Sequence, residues 1–263
     1  MDFNWVFGSV PRQSTETSDD SAGSNILSSN RRMHDLVGTN LASQRARFYS
    51  EGDWVKALVV CNEIIAQGKP EFGDYMVRAN TYLKLNKFTS AIDDCSTALR
   101  INPKSSAAHC TRAFAYRALG KLDLAEADCN SAQELNPDDI VIYSNRSAVF
   151  RARGQWQKVV DDCTEIIRRK ATDASAYTMR GAAYGKLREL ETAVTDCKTA
   201  VNLAPSDPTN HANLALVYSM MGKWDKAVHE CTVAIQLGQP NAGILTPRAI
   251  AYGKLRRYFP PRT

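Results

Sequence analysis

The stretch "SAIDDCSTALRINP" at residues 90–103 has a close counterpart, "LAEADCNSAQELNP", at residues 124–137. The two stretches lie 34 residues apart, and an acidic residue followed by cysteine occurs again at 162–163, 196–197 and 230–231. Six cysteines keep this interval of 34 residues: Cys61, Cys95, Cys129, Cys163, Cys197 and Cys231. A fixed interval of this length is typical of a chain built from stacked structural repeats.

Other positions keep the same interval. If Gly38 is position 1 of the first unit, later units begin at Phe72, Ser106, Ile140, Ala174, Pro208 and Ala242. Position 11 is always Tyr or Phe, position 17 is always large and apolar, and proline recurs near position 32. Apolar residues at positions 4, 8 and 11, and again from 17 to 28, predict two amphipathic helices in each unit. Glycine near position 15 and proline near 32 predict where the helices end.

These features resemble the tetratricopeptide repeat family, and the units look most like those of chaperone adaptor (co-chaperone) proteins. The resemblance implies an all-α fold, a right-handed superhelix (α-solenoid) of antiparallel helix pairs whose first helices line a concave groove. It covers residues 38–259, as six full repeats and a partial seventh that meets Pro260 and Pro261. We expect residues 1–37 to be a disordered polar tail with one apolar cluster, "FNWVF" at 3–7, and 260–263 to be a C-terminal tail.

Composition limits the function. The net charge is +5, which suits an acidic partner but falls short of the dense cationic face of a nucleic-acid binder. No apolar stretch is long enough to cross a bilayer, and the N-terminus has no basic region of the kind found in signal peptides. We therefore predict a cytoplasmic protein with no nucleic-acid or membrane partner, whose seven cysteines are thiols.

The cysteines at position 24 are predicted to be packing residues. Equivalent residues of neighbouring repeats are too far apart for a disulfide, and single thiols at such distances cannot share a metal ion. A free cysteine behaves as a small buried hydrophobe. Cys110, at position 5, breaks the pattern and is the best candidate for a reactive thiol.

A second recurring feature is a pair of charges. Arginine at position 7 accompanies aspartate at position 23 of the same unit, and where position 7 is Leu214 the acid is Glu230. We interpret the pairs as structural contacts between the two helices of a repeat. They are Arg78 with Asp94, Arg112 with Asp128, Arg146 with Asp162, and Arg180 with Asp196.

The predicted groove carries bases and asparagines. An extended acidic segment would be attracted to such bases, and asparagine can bind its backbone amides. The alternative is that these residues are solvated helix ends. The predicted groove residues are Asn80, Lys84, Cys110, Phe114, Arg117, Asn145, Arg151, Lys186 and Asn213.

Some members of the resembled family grip the C-terminal carboxylate of a chaperone with basic residues on three successive repeats. The stretch "YSNRSA" at 143–148 resembles the middle part of that clamp, around Asn145. The flanking positions hold Cys110, Phe114, Ser175 and Met179 instead of bases. A chaperone tail is therefore a possible partner for which the clamp is incomplete.

No catalytic motif, metal-ligand cluster or cofactor-binding loop is recognisable, so we predict a protein that is not an enzyme. The leading hypothesis is a scaffold or adaptor that binds a peptide or helix in its groove. A second is the regulatory or targeting part of a larger co-chaperone or enzyme. A third is a self-assembling structural protein, forming a homodimer through the C-terminal helix, whose apolar face includes Leu245, Ala249 and Tyr252.

Overall fold

The computed structural model describes residues 41–67, 70–238 and 248–254, and every regular element within these ranges is a helix. The tails predicted at 1–37 and 260–263, and Leu245, lie outside the described residues. A short helical segment covers 248–254, within the first helix predicted for the seventh repeat. The longer helices are α1 (Leu41–Glu51), α2 (Trp54–Ala66), α3 (Phe72–Lys84), α4 (Phe88–Ile101), α5 (Ser106–Ala118), α6 (Leu122–Leu135), α7 (Ile140–Ala152), α8 (Trp156–Arg169), α9 (Ala174–Lys186), α10 (Leu190–Leu203), α11 (Pro208–Met220) and α12 (Trp224–Leu237).

The described residues form two compact units, 41–121 with α1 to α5 and 122–254 with α6 to α12. Within each unit every helix packs against the next, and first helices of adjacent repeats also touch, α3 with α5 and α9 with α11. First helices begin at position 1 in five repeats and second helices at position 17 in six. The predicted all-α fold of antiparallel helix pairs is confirmed.

The turn between the two helices of a repeat has one recurrent geometry. The residue at position 15 adopts a positive φ in every full repeat, with values of 71°, 72°, 70° and 72° at the four glycines. Asn86 and Arg188 occupy the same position with φ of 56° and 69°. The next N–H donates to the carbonyl of position 11, as Lys87 does to Tyr82 at 2.9 Å. This left-handed residue ends the first helix and turns the chain into the second.

The first helices are capped by the last residue of the preceding repeat. The carboxylate of Asp139 accepts from the N–H of Val141 at 2.9 Å, and Asp207 accepts from Thr209 at 2.8 Å. Ser105 and Asp173 cap α5 and α9 in the same way. A cap at position 34 fixes where each new repeat begins. The first N–H groups of a helix have no carbonyl partner within that helix, and the capping side chain accepts a hydrogen bond from one of them.

Small residues at positions 8 and 20 bring paired helices close together. A Cβ built on Gly181 would lie 2.8 Å from Sγ of Cys197 and 3.2 Å from the carbonyl oxygen of Ala193. Ala193 and Cys197 are themselves 0% and 1% exposed and share a core cluster with Tyr218 and Leu216. α9 and α10 therefore approach each other closely at Gly181, and no side chain would fit there.

Candidate functional site

Three arginines at position 7, Arg78, Arg146 and Arg180, each hold their aspartate with a two-pronged hydrogen bond. Nε of Arg180 donates to Oδ2 of Asp196 at 2.7 Å, and its Nη2 donates to Oδ1 at 2.9 Å. Arg78 and Asp94 are joined at 2.8 and 2.7 Å, and Arg146 and Asp162 at 3.1 and 2.7 Å. The three aspartates are between 3% and 5% exposed. Arg112 and Asp128 lie in different compact units, and this pair stays a prediction.

The same guanidinium reaches into the preceding repeat, which the sequence analysis did not predict. Its Nη1 donates to a polar side chain at position 25 of that repeat's second helix. Arg78, Arg146 and Arg180 therefore each tie their own second helix to the second helix before it. The four contacts are Arg78 to Asn62 at 3.0 Å, Arg112 to Ser96 at 3.1 Å, Arg146 to Asn130 at 3.0 Å and Arg180 to Thr164 at 3.1 Å.

Aromatic rings flank these guanidinium groups. The carbon of the Arg146 guanidinium lies 5.6 Å from the ring centre of Tyr143 and 5.8 Å from that of Phe150. These rings occupy positions 4 and 11, and Arg180 lies 5.6 Å from Tyr177 at position 4. Ring faces attract the cation, and the hydrogen bonds to Asp196 raise the pKa of Arg180. We infer a structural role for these forks, since their bonds are satisfied within the repeats.

In the sixth repeat the acid at position 23 is bound by a histidine instead of an arginine. With Leu214 at position 7, the acid Glu230 is bound by His211 from position 4, with Nδ1 and Oε2 2.8 Å apart. Nε2 of His211 lies 3.0 Å from the carbonyl oxygen of Pro205. A carbonyl oxygen only accepts, so Nε2 is the donor of the bond to Pro205. The sequence signal for this pair was an acid at position 23 without an arginine at position 7.

The predicted groove residues of the first unit differ in accessibility. Asn80 and Lys84 are exposed one turn apart on α3, and Nζ of Lys84 lies 5.6 Å from the ring centre of Trp54. On α5 the guanidinium of Arg117 lies 4.9 Å from the ring centre of Phe114. Cys110 is buried, with 6% exposure, so the structure gives no support for a reactive thiol there.

The predicted groove residues of the second unit lie on α7, α9 and α11. Asn145, Arg151 and Lys186 are partly exposed, and Nζ of Lys186 lies 5.8 Å from the ring centre of Trp156. Asn213 is 0% exposed. Binding by any of these residues, and by those of the first unit, stays a prediction.

A polar cavity of about 560 Å³ lies beside one of the forks in the second unit. Tyr143 forms part of its wall and donates to the carbonyl oxygen of Pro137 at 2.7 Å. Arg146, also in the wall, donates to Gln133 and to both carboxylate oxygens of Asp162, so much of the polar wall is hydrogen-bonded within itself. The lining residues are Gln133, Tyr143, Arg146, Asp161, Asp162, Thr164 and Glu165.

The seven cysteines form no disulfide in the described ranges, and all of them are buried. Burial raises the pKa of Cys163 to about 12 and that of Cys231 to about 11. Cys163, Cys197 and Cys231 belong to three different core clusters. Within the described ranges, no group of three or more His, Cys, Asp or Glu side chains is arranged to hold a metal ion.

Comparison with known proteins agrees with the helix pairs. Tetratricopeptide repeat profiles match residues 75–105 and 106–139, and a second profile of the same repeat matches 174–207. The chain contains tetratricopeptide repeats. This family is one of protein-interaction scaffolds, and the chain shares that architecture. No curated protein matches the sequence.

Several solved structures are similar to this tetratricopeptide repeat chain. A tetratricopeptide repeat protein from Parabacteroides merdae aligns with a TM-score of 0.64 at 17% identity, covering 87% of this chain and 90% of that one. MamA from Desulfovibrio magneticus RS-1 aligns with 0.60 at 18% identity, covering 64% and 96%. YrrB, described as a TPR protein with an unusual peptide-binding site, aligns with 0.58 at 15% identity, covering 72% and 97%. At these identities the likeness shows the fold.

The described helices include none that is both long and apolar enough to cross a membrane. The short segment at 248–254 leaves Tyr252 45% exposed and Ala249 exposed, while Ala251 is 0% exposed in the core cluster of α11. Cytoplasmic location and pairing of two chains through this segment stay predictions.

Proposed function

We propose that the chain is an adaptor that binds an extended, acidic peptide of a partner protein along the first helices of its repeats, and that it is not an enzyme. The observation that carries this proposal is the recurrence of cations on first helices near their C-terminal ends. Lys84 is exposed on α3, and Arg151 and Lys186 are partly exposed on α7 and α9. The Arg–Asp forks, in contrast, are used in packing.

Two of the cations are held in place by aromatic rings. Lys84 lies over Trp54 and Lys186 over Trp156, so a lysine at position 13 meets a tryptophan at position 17 of the preceding repeat. A side chain that is already restrained loses less conformational entropy when it binds a carboxylate. These two lysines are therefore better prepared for a partner than freely rotating surface lysines.

Polar side chains on the same helices as the cations suit an extended backbone. Asn80 lies one turn from Lys84 on α3, and Asn145 lies nearly two turns from Arg151 on α7. An asparagine amide both donates and accepts, so it can bind the N–H and the C=O of a peptide. YrrB, which is similar in fold, is described as having a peptide-binding site, and this supports the proposal for the present chain.

A chaperone tail is a weaker candidate for the partner. The residues flanking Asn145 in the resembled clamp are not basic, and two of them are engaged elsewhere. Cys110 is 6% exposed, and Met179 packs against the cluster of Phe150 and Val160. A partner that places its acids along the helices fits these residues better than one that offers a single terminal carboxylate.

Charge reversal tests the proposal. A synthetic peptide with alternating glutamates should bind the full chain, and the Lys84→Glu, Arg151→Glu and Lys186→Glu triple variant should bind it at least about tenfold more weakly, since like charges repel at close range. Binding is measured by fluorescence anisotropy in 50 and 300 mM salt, and the wild-type affinity should fall with salt.

The matched control reverses the charge of three exposed lysines that do not belong to the proposed row of cations (Lys84, Arg151 and Lys186). They are Lys104, Lys121 and Lys198. This variant has the same net charge as the test variant and should bind within about twofold of wild type. Equal weakening by both variants would show a general charge effect, and no weakening by the row variant would refute the proposed groove.

A further inference from the structure

α11 is buried on every side. Its residues 210 to 219 are all buried, an uninterrupted run that includes polar and apolar side chains. In a repeat array, second helices pack behind a first helix and neighbouring first helices pack beside it, which leaves the groove side to solvent. α11 has such neighbours in α9, α10 and α12, and Ala251 of the segment 248–254 packs in its core cluster. Such neighbours lie behind and beside a first helix, so cover on its groove side needs another source.

The groove side becomes more buried from α7 to α11. At position 6, Asn145 and Met179 are partly exposed, but Asn213 is 0% exposed. At position 12, Arg151 is partly exposed and Ser219 is 2% exposed. The first helices α7 and α11 flank α9 on both sides, and Met179 at its position 6 is still partly exposed. Neighbouring helices alone therefore do not account for the complete burial of Asn213.

The covered face is made of small and apolar groups. Ala182 and Leu216 are 0% and 1% exposed, and Gly185 is also buried on α9. Small side chains leave space above the helices that large rings can fill. An aromatic segment of extended backbone fits this face.

We propose that this face, formed by Ala182, Gly185, Leu216 and Ser219, is a docking site for residues 3–7 of the same chain, "FNWVF". The inference rests on the proposed function, because it uses the same groove. The segment has three aromatic residues and a valine among five residues, within a polar stretch of sequence.

Charge and length favour this occupant. Residues 2–20 contain Asp2, Glu16, Asp19 and Asp20 against Arg12, a net charge of −3, which complements Arg151 and Lys186. Residues 255–263 contain Arg256, Arg257 and Arg262 and would be repelled by the same cations. Residues 8–40 can extend over roughly 110 Å, enough to reach any face of a domain of this size.

A groove ligand within the chain would compete with an external partner. An external peptide then binds only the fraction of chains whose segment is undocked, and its apparent affinity falls by that fraction. The partner should share the chemistry of the internal segment, with aromatic residues followed by acids.

Photo-crosslinking in the full chain tests the docking. Trp5 is replaced by p-benzoylphenylalanine and the illuminated chain is digested and analysed by mass spectrometry. We expect crosslinks to residues 174–186 or 208–220 within one chain, and a mixture of isotopically light and heavy chains identifies them as intrachain. Crosslinks that join light to heavy chains, or none to these helices, would overturn the proposal.

The same probe at Tyr258 is the matched control. If that probe reaches 208–220 and the probe at position 5 does not, the C-terminal residues are the occupant and the proposal is wrong. A second variant, Phe3→Ser with Trp5→Ser and Phe7→Ser, should raise the affinity for the glutamate peptide, by about tenfold if one chain in ten is undocked in the wild type.

These outcomes separate the two proposals. If crosslinking fails while charge reversal of the row still weakens peptide binding, the groove function stands and the internal ligand does not. If crosslinking succeeds while charge reversal has no effect, the internal segment docks in a groove that does not bind acidic peptides.

Discussion

The guanidinium of Arg180 bonds to two helices besides its own. It donates twice to Asp196 in α10 and once to Thr164 in α8, which belongs to the repeat before. Asp196 is 4% exposed, so its charge has lost most of its water and depends on the fork. Removing one partner of a buried ion pair leaves the other uncompensated, and this costs more than the pair contributes.

We expect Arg180→Leu to lower the free energy of unfolding by about 3 kcal/mol, because the carboxylate of Asp196 stays buried without its cation. Arg180→Lys should cost about 1 to 2 kcal/mol, since an ammonium cannot form the fork and also reach Thr164. Urea unfolding followed by circular dichroism measures both.

The matched control for this prediction removes both charges, as Arg180→Leu with Asp196→Leu. The chain itself accepts leucine at position 7 in the sixth repeat, at Leu214. The double variant should recover part of the loss. A single variant Arg180→Leu as stable as wild type would contradict the structural role.

The sequence predicted one half of this contact. Arginine and aspartate recur together, and Arg78, Arg146 and Arg180 indeed meet their aspartates. The hydrogen bond to the preceding repeat was not predicted, because the residue at position 25 varies between asparagine, serine and threonine. All three can accept a hydrogen bond. The signal was present in every repeat that precedes an arginine at position 7: Asn62, Ser96, Asn130, Thr164 and Thr232.

At the scale of the helical element, the turn at position 15 carries one strained residue. Four repeats use glycine there, and Asn86 tolerates the left-handed region. Arg188 has φ of 69°, at which its Cβ lies too close to the following carbonyl oxygen. The left-handed region costs an ordinary residue roughly 1–2 kcal/mol. The turn is nevertheless kept, because the flanking helices determine it.

We predict that Arg188→Gly raises the free energy of unfolding by about 0.5 to 1 kcal/mol. The substitution relieves the backbone strain, and part of this gain is lost because glycine gives the unfolded chain more conformational freedom. Asn86→Gly should gain less, because asparagine already tolerates this region. Thermal and urea unfolding of the full chain measure the differences.

Gly120→Ala is the control for strain alone. Its φ is 72°, and an added Cβ would meet no atom within 4 Å. It should therefore destabilise by about 1 kcal/mol through backbone strain without any clash. Loss of stability on Arg188→Gly would mean that the arginine side chain contributes more than its backbone costs.

The helix boundaries could be predicted because each repeat gives an independent copy of the same signal. Proline at 103, 137 and 205 follows helices that end at Ile101, Leu135 and Leu203. The burial of α11 could not be predicted in this way. Position 213 holds an asparagine as position 145 does, and only its surroundings differ.

At the scale of the whole molecule, stability in a repeat array depends on contacts between neighbours. In the described ranges, the first repeat packs against one neighbouring repeat, and α1 buries only Phe48. The fourth repeat, with α7 and α8, packs against helices on both sides. The first repeat should therefore open at a lower free-energy cost.

Alkylation in increasing urea should label Cys61 before Cys163. Both thiols are buried in the native chain, and the pKa of Cys163 is about 12, so almost none is thiolate at pH 8. Opening restores an ordinary thiol pKa and exposes the sulfur to iodoacetamide. Mass spectrometry of tryptic peptides gives the order, and simultaneous labelling of all cysteines would show one cooperative transition instead.

The guanidinium contact at position 25 also restricts the order in which repeats can follow one another. Any repeat with asparagine, serine or threonine there can precede any repeat with arginine at position 7, so the first four junctions are interchangeable. The junction of the fifth and sixth repeats is not, because Lys198 precedes Leu214. An arginine-bearing repeat moved behind Lys198 would meet a like charge. The contact at position 25 therefore restricts which repeat can follow the fifth. Exchanging whole repeats should be tolerated at the first four junctions and not at the junction of the fifth and sixth.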